Sequence, residues 1–252
     1  MTWILFFGLI FMLNFLGLLW CYLRQSDRLT DLIYSLSFLL ASVGTLVIQQ
    51  DFSLAKLLLV TMVSLWSIRL GAYLFIRIHF MKSDKRFDQM RKKFSAIAGF
   101  WLLQTISIYI IALPVVFFLN KSIDRLPSLS YLAIGIWAIG WFLESISDYQ
   151  KFRFRNNPAH KNNFVDVGVW KYLQHPNYLG EILCWVGIWL YTMPYLSGLE
   201  WFTIISPLWI IILLVFISGI PLLQKSSAKR YGHLPKYLNY NKKVAKLIPF
   251  IW

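Results

Sequence analysis

Apolar residues fall along the chain in long runs separated by short polar stretches. A bilayer-spanning helix needs about 20 predominantly apolar residues. Seven runs meet that need, near 2–23, 29–49, 54–78, 99–119, 129–148, 179–196 and 201–223, the sixth being the weakest. The pattern predicts an all-α integral membrane protein built as a seven-transmembrane-helix bundle. The first run starts at Thr2 without a positive leader or a small-residue cleavage site, and is longer than a signal-peptide core, so it reads as a retained helix. No linker, internal repeat or polar stretch long enough for a separate soluble domain interrupts the pattern. A single membrane domain over 1–252 is therefore expected.

Composition agrees with lipid as the solvent: 58% of residues are hydrophobic, 14% are charged and mean hydropathy is +0.58. The formal net charge of +14 raises the question of nucleic acid. Position answers it. Of the 25 Lys and Arg residues, two lie between the first and second runs, six between the third and fourth, five between the fifth and sixth, and seven in the tail. Lys56, Lys121 and Arg125 lie on the opposite side, and Arg69 and Arg77 lie within the third run. This bias places the N-terminus outside and the C-terminus in the cytoplasm. Basicity thus encodes topology, and anionic lipid or an anionic cofactor explains it better than nucleic acid. Cys21 and Cys184 are too few for a disulfide framework.

Charges in a bilayer call for a partner or a purpose. Asp31 lies one turn into the second run, where a salt bridge to Arg28 or Arg69 competes with a catalytic role; Tyr34 shares its face at i+3. Arg69 sits deep beside Trp66 and should face the bundle interior. Arg77, Glu144, Asp148 and Glu181 suit either function or helix-to-helix pairing. Two segments on the basic side, 79–98 and 149–178, are longer than topology requires, as functional loops tend to be. The aromatic and basic tail from Lys225 to Trp252 suits an amphipathic segment at the membrane face.

The densest polar signal runs from Gly168 to Glu181. Pro176 pre-sets a helix start, and His175, Asn177 and Tyr178 offer donors and acceptors where a helix N-terminus attracts anions. Glu181 follows Asn177 by four residues and shares its face. Upstream, Asp148, Lys151 and Arg155 recur at spacings of three and four, giving a basic flank. A phosphate-bearing cofactor suits this set; the alternative is a re-entrant turn whose polar groups cap one another.

Ser147-Asp148-Tyr149, Arg155, the run His175-Pro176-Asn177-Tyr178-Leu179-Gly180-Glu181, Trp185 and the closing Lys246-Leu247-Ile248-Pro249-Phe250-Ile251-Trp252 resemble the C-terminal half of the steroid 5-alpha-reductase family, nearest its bacterial membrane branch. The resemblance is strong over about 141–252 and weaker over 24–98. It implies a bacterial inner-membrane protein that holds NADPH in a cytoplasm-facing cavity. It further implies reduction of the carbon–carbon double bond of a 3-oxo-Δ4 steroid or similar lipophilic enone entering from the bilayer. Residues 1–128 would form the substrate side, and 129–252 the cofactor half. Asp148, Arg155, Asn177, Glu181 and Trp185 match cofactor-contacting positions, and Lys229, Arg230 and Tyr240 are the nearest tail matches. Arg69, His175 and Tyr178 are counted with the cofactor set. Asp31 stands where the family contacts the substrate ketone. Trp66 stands about where it has a catalytic tyrosine, and because an indole cannot supply a phenolic proton, Tyr34 or Tyr73 would replace it.

Two other readings compete. S-adenosylmethionine-dependent membrane methyltransferases also carry a His-Pro-x-Tyr element before a C-terminal helix pair, although Ser147-Asp148-Tyr149, Arg155 and the closing motif fit the reductase pattern better. A lipid transporter would also use intramembrane Asp and Arg, but the polar residues cluster at one membrane face. No paired histidine spacing marks a metal site, and no Gly-x-Gly-x-x-Gly marks a Rossmann domain.

Overall fold

The computed structural model describes residues 2–81, 90, 93–123 and 125–248. Half of the expected 79–98 loop, and residues 249–252 of the closing motif, lie outside the described residues. Among the described residues every regular element is helical, and the one isolated bridge pairs Leu173 with Ala245. Six helical stretches among the described residues are long and apolar enough to cross a membrane: Phe6–Arg24, Thr30–Gln49, Leu54–Phe80, Phe94–Leu119, Ser128–Asn156 and Gly198–Tyr231. The protein is a multi-pass helical membrane protein. The expected sixth run forms a shorter helix of 17 residues, Pro176–Thr192.

The chain groups into two compact units: Met1–Tyr131 with Ile188–Ser206, and Leu132–Gly187 with Pro207–Trp252. The first holds α1 (Thr2–Arg24), α2 (Thr30–Leu39) continued through a π turn into α3 (Thr45–Gln49), α4 (Leu54–Met81) and α5 (Phe94–Leu119). Lipid offers no water to satisfy polar groups, so those buried here satisfy one another. Gln104 Nε2 donates to Asn14 Oδ1 at 3.0 Å, and Asn14 Nδ2 donates to Ser37 Oγ at 3.2 Å, joining α5, α1 and α2. Ser37 and Ser42 return their hydroxyls to carbonyls four residues back.

The second unit holds most of α6 (Ser128–Asn156), α7 (Pro176–Thr192), α9 (Ile220–Tyr231) and α10 (Pro235–Lys243); α8 (Ile205–Ile212) leads into it through a π turn, Leu213–Ile217. Helix α6 outruns the apolar run by eight residues, carrying Lys151 and Arg155 on continuous helix rather than in a loop. It stops where Asn157 and Pro158 follow, since a residue before proline leaves the helical region. The last expected run also departs from a single rod. Ser218 and Gly219 both donate to the Leu213 carbonyl, and a β-carbon on Gly219 would lie 2.2 Å from the Leu214 carbonyl oxygen. Gly219 leaves the helical region, at φ -91° and ψ -99°, and α9 restarts with Pro221 in its first turn.

Between α6 and α7 the chain folds back on α6. Trp170 Nε1 donates to the Ser147 carbonyl at 3.0 Å, and the Val169 amide donates to Gln150 Oε1 at 3.0 Å. Gly168 enters this turn with φ +57°, a left-handed conformation that favours glycine, and a β-carbon there would displace the Gln150 side-chain amide. The segment 164–175 is thereby presented to the tail.

Candidate functional site

In the second unit α6, segment 164–175, α9 and α10 enclose a cavity of about 170 Å³. Its walls combine Lys151, Arg155 and Arg230 with Phe164, Trp170, Tyr231, Tyr237 and Tyr240, and with the polar Gln174, His175, Ser226 and Ser227. A second cavity of about 290 Å³ lies beside it, lined by Asn156, Asn157, His160 and Lys161, and it shares Arg155 and Arg230 with the first. The described lining of the two cavities contains no carboxylate.

The two shared arginines are held on one ring. The guanidinium of Arg155 lies 5.6 Å from the Tyr231 centroid and that of Arg230 lies 5.3 Å from it, within cation–π range. Arg155 also donates to the Tyr231 hydroxyl. Tyr231 is buried and fixed in turn by Phe164 and Tyr237. Neither guanidinium has a carboxylate partner among the described residues. Two like charges gathered without a counter-ion at a cavity mouth favour an anionic ligand.

His175 is 7% exposed, lines the first cavity, and has no hydrogen-bond partner at Nε2. Its ring stacks on Tyr178 at 5.5 Å. Burial first, then the ammonium groups of Lys151 and Lys246, push its pKa down from 6.5 to about 3. The folded protein therefore carries a neutral imidazole. As pH falls from 6.5 toward 3 the unfolded chain gains a proton at this residue that the folded chain does not, so stability drops across that window and is unaffected above it. Replacing His175 with Gln should flatten the acid limb of a thermal-unfolding series in detergent between pH 6.5 and 3; equal acid sensitivity in variant and wild type would contradict the assignment.

Of the residues expected at a cofactor, Arg155, His175, Arg230 and Tyr240 meet in this cavity. Tyr240 is nevertheless engaged: its hydroxyl donates to the Trp170 carbonyl at 2.6 Å, and burial together with Asp166 raises its pKa. Asp148 on α6 and Asn177, Tyr178, Glu181 and Trp185 on α7 stand outside the lining. Asp148 and Trp185 are buried, and Asn177 Oδ1 is buried without a partner. Lys229 is exposed, on the turn of α9 beside Arg230 but not in the lining. Arg69 belongs to the first unit. Gln174, Tyr231 and Tyr237 are among the lining residues that sequence alone did not assign to a site.

The expected substrate residues all fall in the first unit. Asp31 accepts from Arg77 at 3.2 Å, an arginine 46 residues away that sequence did not single out as its partner. The carboxylate is thus engaged in an ion pair. The Arg77 guanidinium also lies 5.9 Å from the Tyr73 ring centroid. Tyr34 packs edge-on to Phe38, and Phe38 edge-on to Trp66, which is fully buried. Trp66 is thus a packing residue of this unit.

These elements define a multi-pass helical membrane protein with a cation-lined, aromatic-walled cavity built by its C-terminal helices. The chain belongs to the family described as protein of unknown function (DUF1295), which it matches over residues 18–244. No curated protein and no solved structure matches it.

Proposed function

We propose that this chain is an NADPH-dependent membrane reductase of the steroid 5-alpha-reductase type, acting on the carbon–carbon double bond of a 3-oxo-Δ4 steroid or similar lipophilic enone. The reading keeps seven crossings, with the N-terminus outside and the cavity facing the cytoplasm. The observation that carries it is the pair of guanidinium groups held on Tyr231 with no carboxylate opposite. A dinucleotide brings several phosphate charges and two planar rings, and the residues present fit it: cations for phosphate, aromatic walls for rings, and a neutral His175 for a hydroxyl or amide. Drug-sized ligands need pockets of about 300–1,000 Å³. Neither cavity reaches that size alone, so the ligand would run through both, past the shared arginines.

When bound, the reduced nicotinamide would supply a hydride to the β-carbon of the enone, and a proton taken up at the α-carbon completes the saturated ketone, so that NADPH and one proton are consumed and NADP+ is released. The chain's own residues bind, orient and polarise. Arg155, Arg230 and Lys151 neutralise the phosphates, while the apolar surroundings exclude competing water. Negative charge develops on the substrate carbonyl oxygen, where fixed donors lower the barrier most. Tyr34 or Tyr73 would supply a hydroxyl there. With Asp31 ion-paired to Arg77, the Arg77 guanidinium is the second donor in place of a carboxylic acid.

The same observation weighs against S-adenosylmethionine, whose sulfonium is positive and calls for carboxylates that the lining lacks. Purified protein is expected to gain thermal stability with NADPH and not with S-adenosylmethionine, and to oxidise NADPH when given a 3-oxo-Δ4 steroid. Absence of turnover together with absence of NADPH binding would overturn the proposal.

A further inference from the structure

The cavity is not closed by the membrane helices. Its outer wall is α10 with Tyr237, Tyr240 and Asn241, and this segment has few ties to the rest of the second unit. Tyr237 and Tyr240 pack on Phe164, and four backbone carbonyls of the segment, at Asn241, Val244, Ala245 and Lys246, accept from Gln174 and the residue after it. Gln174 is 7% exposed, and its Nε2 donates to the Val244 carbonyl at 2.6 Å and to the Asn241 carbonyl at 3.2 Å. Its backbone amide donates to the Ala245 carbonyl at 2.9 Å, and the next amide, that of His175, donates to the Lys246 carbonyl at 3.0 Å. Tyr240 to Trp170 and Lys236 to Asp166, each at 2.6 Å, add to the attachment.

We infer that Gln174 is a positioning residue that latches the C-terminal segment 235–248 across the anion cavity, and that ligand binding and latching are thermodynamically linked. The chemistry of the residue explains its type. A primary amide presents two N–H donors on one nitrogen and spans the carbonyl at the end of α10 and the one just beyond it. Carbonyls at a helix C-terminus lack intrahelical partners and must find donors elsewhere. Gln174 supplies them on the strand of chain that ends in His175, so the buried imidazole, the wall residues Tyr240 and Asn241, and the first turn of α7 share one support. A ligand that needs all of these in place binds only the latched form. By linkage it must therefore tighten the latch as much as the latch favours it.

The inference rests on the cavity being an anion site, as in the proposed function, and the test separates the two. Gln174→Met keeps side-chain length and volume but offers no donor. In the full-length protein it is expected to accelerate amide exchange at residues 174 and 175 and along α10 at least tenfold, leaving exchange in α4 and α5 unchanged. Binding of NADPH and of inorganic pyrophosphate should weaken at least tenfold, while saturating pyrophosphate should slow α10 exchange in the wild type. Tyr240→Phe, which removes one oxygen, should loosen the same amides to a smaller degree and provides a second, milder variant. Wild-type exchange at these amides in Gln174→Met, or faster exchange with unaltered affinity for both probes, would overturn the latch. Pyrophosphate binding without NADPH binding would sink the dinucleotide reading and leave the latch standing. If the wild type bound neither probe, the linkage would fall with it.

Discussion

Replacing Arg155 and Arg230 together with Gln is expected to weaken NADPH binding by about two to four orders of magnitude at only a small cost to the stability of the ligand-free protein. A hydrogen bond to a charged group contributes about 1.5–3 kcal/mol, and about 1.4 kcal/mol is tenfold in affinity; two such contacts give the range. The second half of the expectation follows from the geometry around Tyr231. Two guanidinium groups share that ring, both are exposed, and neither meets a carboxylate among the described residues, so no ion pair is lost with them. Arg230 makes no other described contact, so Arg230→Gln alone should leave the melting temperature level. Arg155 also donates to the Tyr231 hydroxyl, so its removal costs packing as well as charge. Arg155→Lys should recover little, because a point charge does not replace a planar fork lying on a ring. Titration calorimetry in detergent, paired with melting curves, reads both halves. Binding of the double variant within about threefold of wild type would refute the site, since that ratio is under 1 kcal/mol.

Much of this fold was legible because hydropathy marks where a chain meets lipid. Six of the seven expected runs became helices long enough to span, with ends displaced where hydropathy stops being informative. Residues 149–156 are polar, so the apolar count ends at 148, yet backbone hydrogen bonding continues through them and Arg153 reaches back to the Tyr149 hydroxyl at 3.2 Å. The break at 218–219 escaped for the opposite reason, since the run is apolar throughout and only Gly219 and Pro221 betray it. In the site, charge and ring residues were visible at Arg155, His175, Arg230 and Tyr240. Gln174 was not, because an uncharged amide beside a histidine gains meaning only when carbonyls 67 and 70 residues away come within reach. Asp31 shows the same limit, because sequence pointed to the right helix through Arg69 but could not show that Arg77, two turns further along it, comes within reach.

The other large effect should come from residues with no side chain. Helices α6 and α7 meet backbone to backbone within the second unit. A β-carbon on Gly180 would lie 2.6 Å from the Glu144 amide nitrogen and 2.7 Å from the Gly140 carbonyl oxygen. One on Gly140 would lie 2.7 Å from the Cys184 nitrogen, and one on Gly187, two turns beyond Gly180, would lie 2.8 Å from the Trp137 nitrogen. These neighbours are backbone atoms, which cannot swing aside, so the helices must separate. Small residues at such a crossing are what allows close approach in a membrane, where dispersion contacts replace the hydrophobic drive. Gly180→Ala is expected to destabilise by about 1–3 kcal/mol through overpacking, less the roughly 1 kcal/mol that alanine gains in helix propensity. Gly180→Leu should abolish the packed second unit. Gly135 is the control: it lies on α6 with nothing within 4 Å of the place a β-carbon would take, so Gly135→Ala should be neutral or stabilise by up to about 1 kcal/mol. Because α6 carries Lys151 and Arg155 while α7 begins directly after His175, prising the two helices apart also separates the cavity's cations from its imidazole. Gly180→Ala should therefore lose ligand affinity along with melting temperature, whereas Gly135→Ala should lose neither. Equal melting curves for the two variants would show that the close crossing contributes nothing to the fold.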